Sequence, residues 1–430
     1  MKKIKIPKQV GWLIPGLQVK RWFAMIFAGA VLMTIGILIL IDIKPIFYTM
    51  QFISKIATKI STEWLAFGIV MFGAAIFFKG WRKTNLSILD IEDDREKDIL
   101  LENLYRRRKL NRGPRIVAVG GGTGLSMLLS GIKNITNNIT AVVSVGDDGG
   151  SSGRLRESLD ILPPGDIRHC MTALADDEDL VTKLFKYRFK NGEGLEGHSF
   201  GNLFLTAMCA ITGDMASAVK ASANVISIRG RVLPSTLDDM KLVAEMEDGR
   251  IVHGESTIPE AGGKIKRLFS EPSDCKALPE VIDAIRNAEL IILGPGSLYT
   301  SVIPNLLIKE ISEEIANSKA KKIYVCNIMS QPGETDGYTV SDHLKALINH
   351  SGYKKIVDTV LVNNYIPENL ADKYQKSGSY PITVDLPEIK KLGIKVYAKN
   401  LVEPDKNGLV RHSSSKVARN IYYWFKKSQR

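Results

Sequence analysis

Three hydrophobic patterns follow one another along the chain. From Trp22 to Ile41 runs an apolar stretch with no charge and Thr34 as its one polar side chain, and at about twenty residues it has the length that crosses a bilayer as helix. A second run, from Trp64 to Phe78, is shorter, but it is followed by Lys79 and Trp81, whose amphipathic side chains extend its reach at an interface. Trp12, Trp22, Trp64 and Trp81, four of the five tryptophans, stand near these boundaries as an aromatic belt would. From Arg82 to Arg112 the pattern turns to mixed charge with a basic run at Arg106–Lys109, which reads as a juxtamembrane helical linker. From Arg115 onward, short β-branched runs alternate with helical periodicity. The runs Arg115–Val119, Ile139–Val145, Leu290–Leu293 and Lys322–Ile328 each end in a glycine-rich or polar loop. That alternation predicts an α/β fold with a Rossmann-like, doubly wound, largely parallel sheet, preceded by two transmembrane helices.

The predicted organisation is therefore a membrane anchor over residues 1–81, a charged linker over 82–112 and one large domain over 113–430. Lys2, Lys3, Lys5, Lys8, Lys20 and Arg21 precede the first apolar run, and Lys79, Arg82 and Lys83 follow the second. This bias puts both termini and the domain on the cytoplasmic side of a multi-pass cell-membrane protein, with membrane lipid as a partner of the hairpin. A cleaved signal peptide is the weaker reading, because the first run is too long and lacks a small-residue cleavage site. A re-entrant or buried second segment is the other alternative.

Charge then separates the two parts. The formal net charge is +12, yet residues 1–112 hold 19 Lys and Arg against 9 Asp and Glu, leaving 39 against 37 for the remainder. The domain is nearly neutral, which argues against nucleic acid as a partner. Cys170, Cys209, Cys275 and Cys326 show no metal-ligand spacing with the six histidines and read as reduced thiols.

Candidate chemistry lies in the loops. Gly120, Gly121, Gly122, Thr123 and Gly124 join the first strand to a helix, where backbone N–H groups and the helix N-terminus favour phosphate. Leu125 stands where a third fingerprint glycine would be, so a standard dinucleotide site is not implied. The second strand ends in Asp147 and Asp148, followed by Ser151, Ser152, Arg154 and Arg156. An acidic residue there suits a ribose hydroxyl or a cation. Both aspartates are candidate Mg2+ ligands, while the serines and Arg154 are phosphate-directed donors. Further candidates are Asp166 and Arg168 in a proline-rich turn, and His198, Ser199 and Asn202 around two glycines. Gly294, Gly296 and Ser297 form a second glycine loop, and Gln331, Glu334 and Thr335 follow the last of the four strands. Ligands of open parallel sheets bind where strand order reverses, so the two glycine loops are expected to face one crevice.

Together, GGGTG (120–124), VGDDGGSSGRLR (145–156), LPPGDIR (162–168), GHSFGN (197–202), RGRVLP (229–234), LGPGSLYTSVIPNLL (293–307) and SQPGET (330–335) resemble the YvcK or gluconeogenesis-factor family, related to the CofD-like 2-phospho-lactate transferases. The resemblance covers residues 115–424 and implies a Rossmann-like domain binding a UDP-sugar such as UDP-GlcNAc. It also implies a role in cell-wall precursor balance, cell shape and gluconeogenic growth, exerted through an enzyme of amino-sugar synthesis. The usual member of that family is soluble, so the hairpin lies outside the resemblance. A ligand-sensing regulator needing no cofactor is the favoured expectation, and a Mg2+-dependent transferase is the alternative. A scaffold without ligand conflicts with the polar loops. Homo-oligomerisation is left open by the sequence.

Overall fold

The computed structural model describes residues 108–176, 178–365, 378–404 and 410–429, together with scattered positions between residues 27 and 79. Most of both hydrophobic runs and residues 82–107 of the linker lie outside the described residues. The chain divides into two compact units, residues 1–109 and 110–430, so the second begins three residues before the boundary expected at Gly113. In the first unit the described positions are helical, and Phe27, Phe47, Phe52, Trp64, Phe72 and Phe78 are exposed. Among the described residues no single helix is long and apolar enough to cross a membrane.

The second unit opens with β1 (Ile116–Gly120), α1 (Gly122–Ile132), β2 (Ile139–Val143), α2 (Gly150–Leu159), α3 (Gly165–Leu174), α4 (Glu178–Lys186), α5 (Phe200–Thr212) and α6 (Met215–Val225). It continues through β3 (Arg231–Pro234), β4 (Lys241–Met246), β5 (Ile251–His253), α7 (Thr257–Glu260), β6 (Ile265–Glu271), α8 (Pro279–Arg286) and β7 (Leu290–Leu293). After β7 come a π-helical turn (Leu298–Val302), α9 (Ile303–Leu307), α10 (Lys309–Asn317), β8 (Lys321–Val325), α11 (Val340–Ser351), β9 (Thr359–Asn363), α12 (Leu386–Lys391) and β10 (Lys395–Lys399). The hairpin β11 (Val402–Pro404) and β12 (Val410–His412) precedes the final helix α13 (Ser414–Ser428).

Seven strands form one sheet in the order β10-β9-β8-β7-β1-β2-β3, and every neighbouring pair is parallel. β1 and β7 are buried along their whole length, as expected for strands covered by helices on both faces. From β1 the chain moves to β2 and β3 on one side, then returns at β7 to the other side and continues outward through β8, β9 and β10. The reversal therefore falls between β1 and β7, and the loops carrying Gly120–Gly124 and Gly294–Ser301 leave adjacent strand ends there, as the glycine spacing predicts.

Two local features differ from expectation. The segment after Asp148, to which the sequence assigned no helix, becomes helical at Gly150, so Ser151, Ser152, Arg154 and Arg156 lie on α2. Likewise Asp166 and Arg168 belong to the first turn of α3 rather than to a loop, because Pro164 ends the turn and starts the helix. A three-stranded antiparallel sheet, β5-β4-β6, is inserted between β3 and β7. It brings Gly254, Glu255 and Ser256 back towards β2, where the Asp148 carboxylate accepts from the Glu255 and Ser256 backbone N–H groups at 2.9 and 2.8 Å.

Candidate functional site

A cavity of about 770 Å3 opens at the switch point. Its floor is the loop from β1 into α1, with Gly121, Gly122, Thr123 and Gly124 on the wall. Gly122 has φ +60°, a left-handed conformation that glycine adopts without a Cβ penalty. Gly124 is needed for close approach: a Cβ there would lie 2.5 Å from the Pro295 carbonyl oxygen and 2.7 Å from Gly296 Cα. The two glycine loops thus touch backbone to backbone. Gly121 caps α1 without any side-chain hydrogen bond, so the first turn offers main-chain N–H groups and the positive dipole end to the cavity.

The second glycine loop is different. Pro295, Gly296, Ser297, Thr300 and Ser301 line the cavity, but the buried Glu334 carboxylate occupies the donors at this turn. It accepts from Ser297 Oγ at 2.5 and 2.6 Å, from the Tyr299 N–H at 3.3 Å and from Thr300 Oγ1 at 3.4 Å. The loop shapes the crevice, while an internal carboxylate fills the place expected for phosphate.

Three acidic side chains, Asp147, Asp166 and Glu255, line the same cavity, and Asp166 lies against the start of α1, where a Cβ on Gly121 would come within 2.5 Å of its Oδ2. Burial pushes the Asp166 carboxyl up to about 7, with the Asp147 charge adding to it and a hydrogen bond from the Gly122 N–H opposing. Burial also lifts Glu255 to about 8, with Asp147, Asp166 and Asp148 contributing in the same direction. Asp147 is raised by burial, although the Gly149 N–H at 3.0 Å and a hydrogen bond with Ser152 hold it back. Near neutral pH Asp166 and Glu255 are therefore at least partly protonated and can donate as well as accept. Arg411 and His412, from the β11–β12 hairpin, reach the same cavity. Burial drops His412 to about 4, so Arg411 supplies the full positive charge among the described lining side chains. Asn327, Ser330, Gln331 and Ser379 complete the polar lining.

The other sequence candidates lie outside this cavity. Asp148, read from the sequence as a metal or ribose ligand, accepts from the Glu255 and Ser256 N–H groups and so holds the turn that carries Glu255. Arg154 and His198 line a separate, more open cavity of about 780 Å3, with Arg154 donating to the Glu196 carbonyl at 3.1 Å. Ser151 Oγ is 3.0 Å from His198 Nδ1 and accepts from Asn202 Nδ2 at 3.0 Å, all three residues being buried. Arg168 donates to Ser199 Oγ at 2.7 Å, and that serine caps α5. These groups form a buried network behind the crevice. Glu255, Ser256, Arg411 and His412 escaped the sequence reading, since their segments carry no glycine loop and reach the crevice only through the inserted sheet and the C-terminal hairpin.

Seven parallel strands with a polar cavity at the switch point define a doubly wound, Rossmann-like α/β protein. Comparison with known proteins makes the class specific. The family model for 2-phospho-L-lactate transferase CofD matches residues 116–402, and the chain belongs to this CofD-like family, within its branch of gluconeogenesis factors, the YvcK family. The gluconeogenesis factor of Bacillus subtilis is 52% identical over 310 residues, covering 72% of this chain and 97% of that one. A relative from Nostoc sp. is 46% identical over 419 residues, 96% of this chain and 92% of its own. A crystal structure of a Bacillus halodurans protein matches with a TM-score of 0.70 at 50% identity, covering 72% of this chain and all of that one. The Nostoc match extends into the N-terminal region, which corrects the expectation that this region lies outside the likeness.

Proposed function

We propose that the chain is a regulatory protein that binds a nucleotide-linked sugar, UDP-GlcNAc foremost, in the switch-point crevice. In this reading the bound state signals to an enzyme of amino-sugar synthesis and thereby links cell-wall precursor supply and cell shape to gluconeogenic growth. The observation that supports the proposal is a cavity lined by both the glycine-rich start of α1, whose N-cap Gly121 supplies no side-chain hydrogen bond, and Arg411. Phosphates suit that pole, and the protonated carboxyls of Asp166 and Glu255 suit sugar or ribose hydroxyls. The volume lies within the range of small-ligand sites. The relatives named gluconeogenesis factor support a metabolic role.

The test is thermal unfolding with UDP-GlcNAc, UDP and free GlcNAc. A ligand at a hundred times its Kd adds about 2.7 kcal/mol of stability, so a clear rise in Tm is expected with UDP-GlcNAc. A flat response to every UDP-sugar would remove this proposal. The proposed anchor in residues 1–81 has its own test, fractionation of the whole chain against a fragment lacking them. Recovery of the whole chain in the soluble fraction would refute anchoring.

One observation favours a second reading, a transferase. Asp147, Asp166 and Glu255 raise one another's proton affinity, and a divalent cation would relieve that repulsion. Among the described residues no three acidic, His or Cys groups are spaced to ligate a metal directly. The donors therefore fit a hydrated Mg2+ held largely through water, which would supply charge neutralisation to a transferring phosphoryl-linked group. Product formation from UDP-GlcNAc with Mg2+ would favour this reading over the regulator.

A further inference from the structure

A further cavity, of about 510 Å3, lies at the edge of the main sheet away from the crevice. Lys321, Thr359 and Lys395 line it and are the first residues of β8, β9 and β10. These strands are parallel, so their starts share the edge opposite the one where the glycine loops leave. Lys395 is the partner of Thr359 in the register of β10 on β9, and β8 flanks β9 on its other side. The short helical turn Lys354–Ile356 adds Lys354 and Lys355, and the half-buried Trp424 of α13 adds an indole. All four lysines are exposed. Among the described residues none of them is ion-paired, and nearby carboxylates are engaged elsewhere, Glu314 with Arg286 at 3.1 Å and Glu388 with Lys391 at 2.6 Å. Glu313 is exposed and lies outside the lining. Asp358, the one carboxylate on the described lining, accepts from the Lys322 N–H at 2.9 Å. The Lys322 ammonium is itself buried and donates to the Ala316 and Lys355 carbonyls at 3.2 and 3.1 Å, which brings a fifth cation close to the cluster.

We infer that this cavity binds an oligophosphate anion, either a nucleoside di- or triphosphate or the inorganic chain. Helix ends do not explain the cluster, because the last turns of α12 and α13 have lysines of their own, Lys390, Lys391, Lys426 and Lys427, to answer the dipole. Four ammonium groups around one cavity repel one another unless an anion lies between them. Each is a compact charge with three donors on a flexible stem, which suits phosphate oxygens approached from several directions. A single carboxylate would leave most of that charge unanswered, whereas a chain of phosphates meets all of it. The indole offers a stacking surface to a base, and the volume lies within the range of small-ligand sites. No lining residue is shared with the switch-point crevice, so the inference stands apart from the proposed sugar-nucleotide site.

The test uses residues 108–430. This span is a compact unit from Leu110 onward, and the Bacillus halodurans crystal structure matches 72% of this chain with all of its own, so a domain of this extent stands without the first unit. Within the span Trp424 is the only tryptophan, the other four being Trp12, Trp22, Trp64 and Trp81, and indole emission therefore reports on this cavity. ATP, inorganic tripolyphosphate and adenosine are titrated without divalent cation, by fluorescence and by calorimetry in parallel. Both anions should bind saturably with a change in indole emission, and added salt should weaken them. Tighter binding of ATP assigns the cavity to nucleotides, and equal affinity assigns it to the inorganic chain. Adenosine alone should bind far more weakly than ATP. The double substitution Lys354→Gln with Lys395→Gln should weaken the anions about tenfold or more, and Lys321→Gln should act in the same direction. Melting by circular dichroism without ligand should show each variant at least as stable as wild type, since like charges have been removed. Absence of saturable binding to the folded wild type overturns the inference, as does unchanged affinity in the folded double variant. Heat of binding with a silent indole, or an indole response relieved by excess UDP-GlcNAc, places the anion elsewhere and overturns it too.

Discussion

Replacing Asp166 by Asn should make the domain less sensitive to alkaline pH while impairing its ligand site. In the folded chain burial holds this carboxyl at about 7 against an ordinary 3.8, so the native state keeps a proton that the unfolded chain releases. A raised acid pKa means that stability is complete below about 3.8 and is lost as pH climbs through about 7. The difference corresponds to roughly 4 kcal/mol at 1.36 kcal/mol per pH unit. Glu255 acts in the same sense between 4.5 and about 8, and Asp166 is one cause of its shift, so the two contributions overlap rather than add. Asp166→Asn removes the first contribution and reduces the second. The Asn Oδ1 can still accept from the Gly122 N–H. Urea unfolding of residues 108–430 between pH 5 and 8.5 should show wild type losing stability steadily. The variant should have a shallower slope and be more stable than wild type by about 2 kcal/mol or more at pH 8. The same variant should bind UDP-GlcNAc less well, a trade common at functional sites. An unchanged slope, or equal destabilisation at pH 5 and pH 8, would refute the buried-acid reasoning.

Gly124→Ala forces a Cβ against the Pro295 and Gly296 backbone, and it should cost about 1–3 kcal/mol in denaturant melts and weaken ligand binding. Gly122→Val should cost a comparable amount through its φ of +60° and also block approach to the main-chain donors, which calorimetric titration with UDP-GlcNAc will detect. Asp148→Asn replaces one of two carboxylate acceptors with a donor facing an N–H, so stability should fall by about 1–3 kcal/mol. Asp147→Asn removes the charge that raises Asp166 and Glu255, so its effect on stability should become more favourable from pH 5 to pH 8, and a difference from wild type that is the same at both pH values would contradict the assignment. Arg411→Ala, at an exposed position, should weaken nucleotide binding about tenfold to a hundredfold with little change in Tm.

The parallel, doubly wound class of the main sheet was legible because four of its strands are apolar runs that end at a polar or glycine-rich loop, whereas β3, β9 and β10 and the strand order were not read from the sequence. Leu290–Leu293 forms a strand over the residues its sequence predicts, and the crevice follows from strand order alone. The division of labour within the motifs was not legible. Asp147 and Asp148 are equivalent by adjacency, yet one faces the cavity and the other binds the N–H groups of a turn 107 and 108 residues away. Only the inserted antiparallel sheet makes that distinction. Glu334 reads from the sequence as a candidate ligand or partner contact in a loop, but it is 4% exposed and its carboxylate bonds the second glycine loop. Glycine spacing announces close backbone approach, and it does not say whether a ligand or an internal carboxylate comes close.

That last distinction gives the crevice its polarity. If both glycine loops offered open donors, the site would favour an anion symmetrically, as a clamp around one phosphate group. With Glu334 closing the second loop, the open donors concentrate at the α1 N-terminus, and Arg411 is the fully charged cation among the described lining side chains. Beside them lie Asp147, Asp166 and Glu255, where burial raises the proton affinity of each carboxyl and Asp166 accepts from the Gly122 N–H. A ligand negative along its whole length would meet repulsion at these carboxyls whenever their protons left. A ligand with phosphate at one end and hydroxyl groups at the other satisfies both sets of groups, since a protonated carboxyl can donate to one hydroxyl and accept from another.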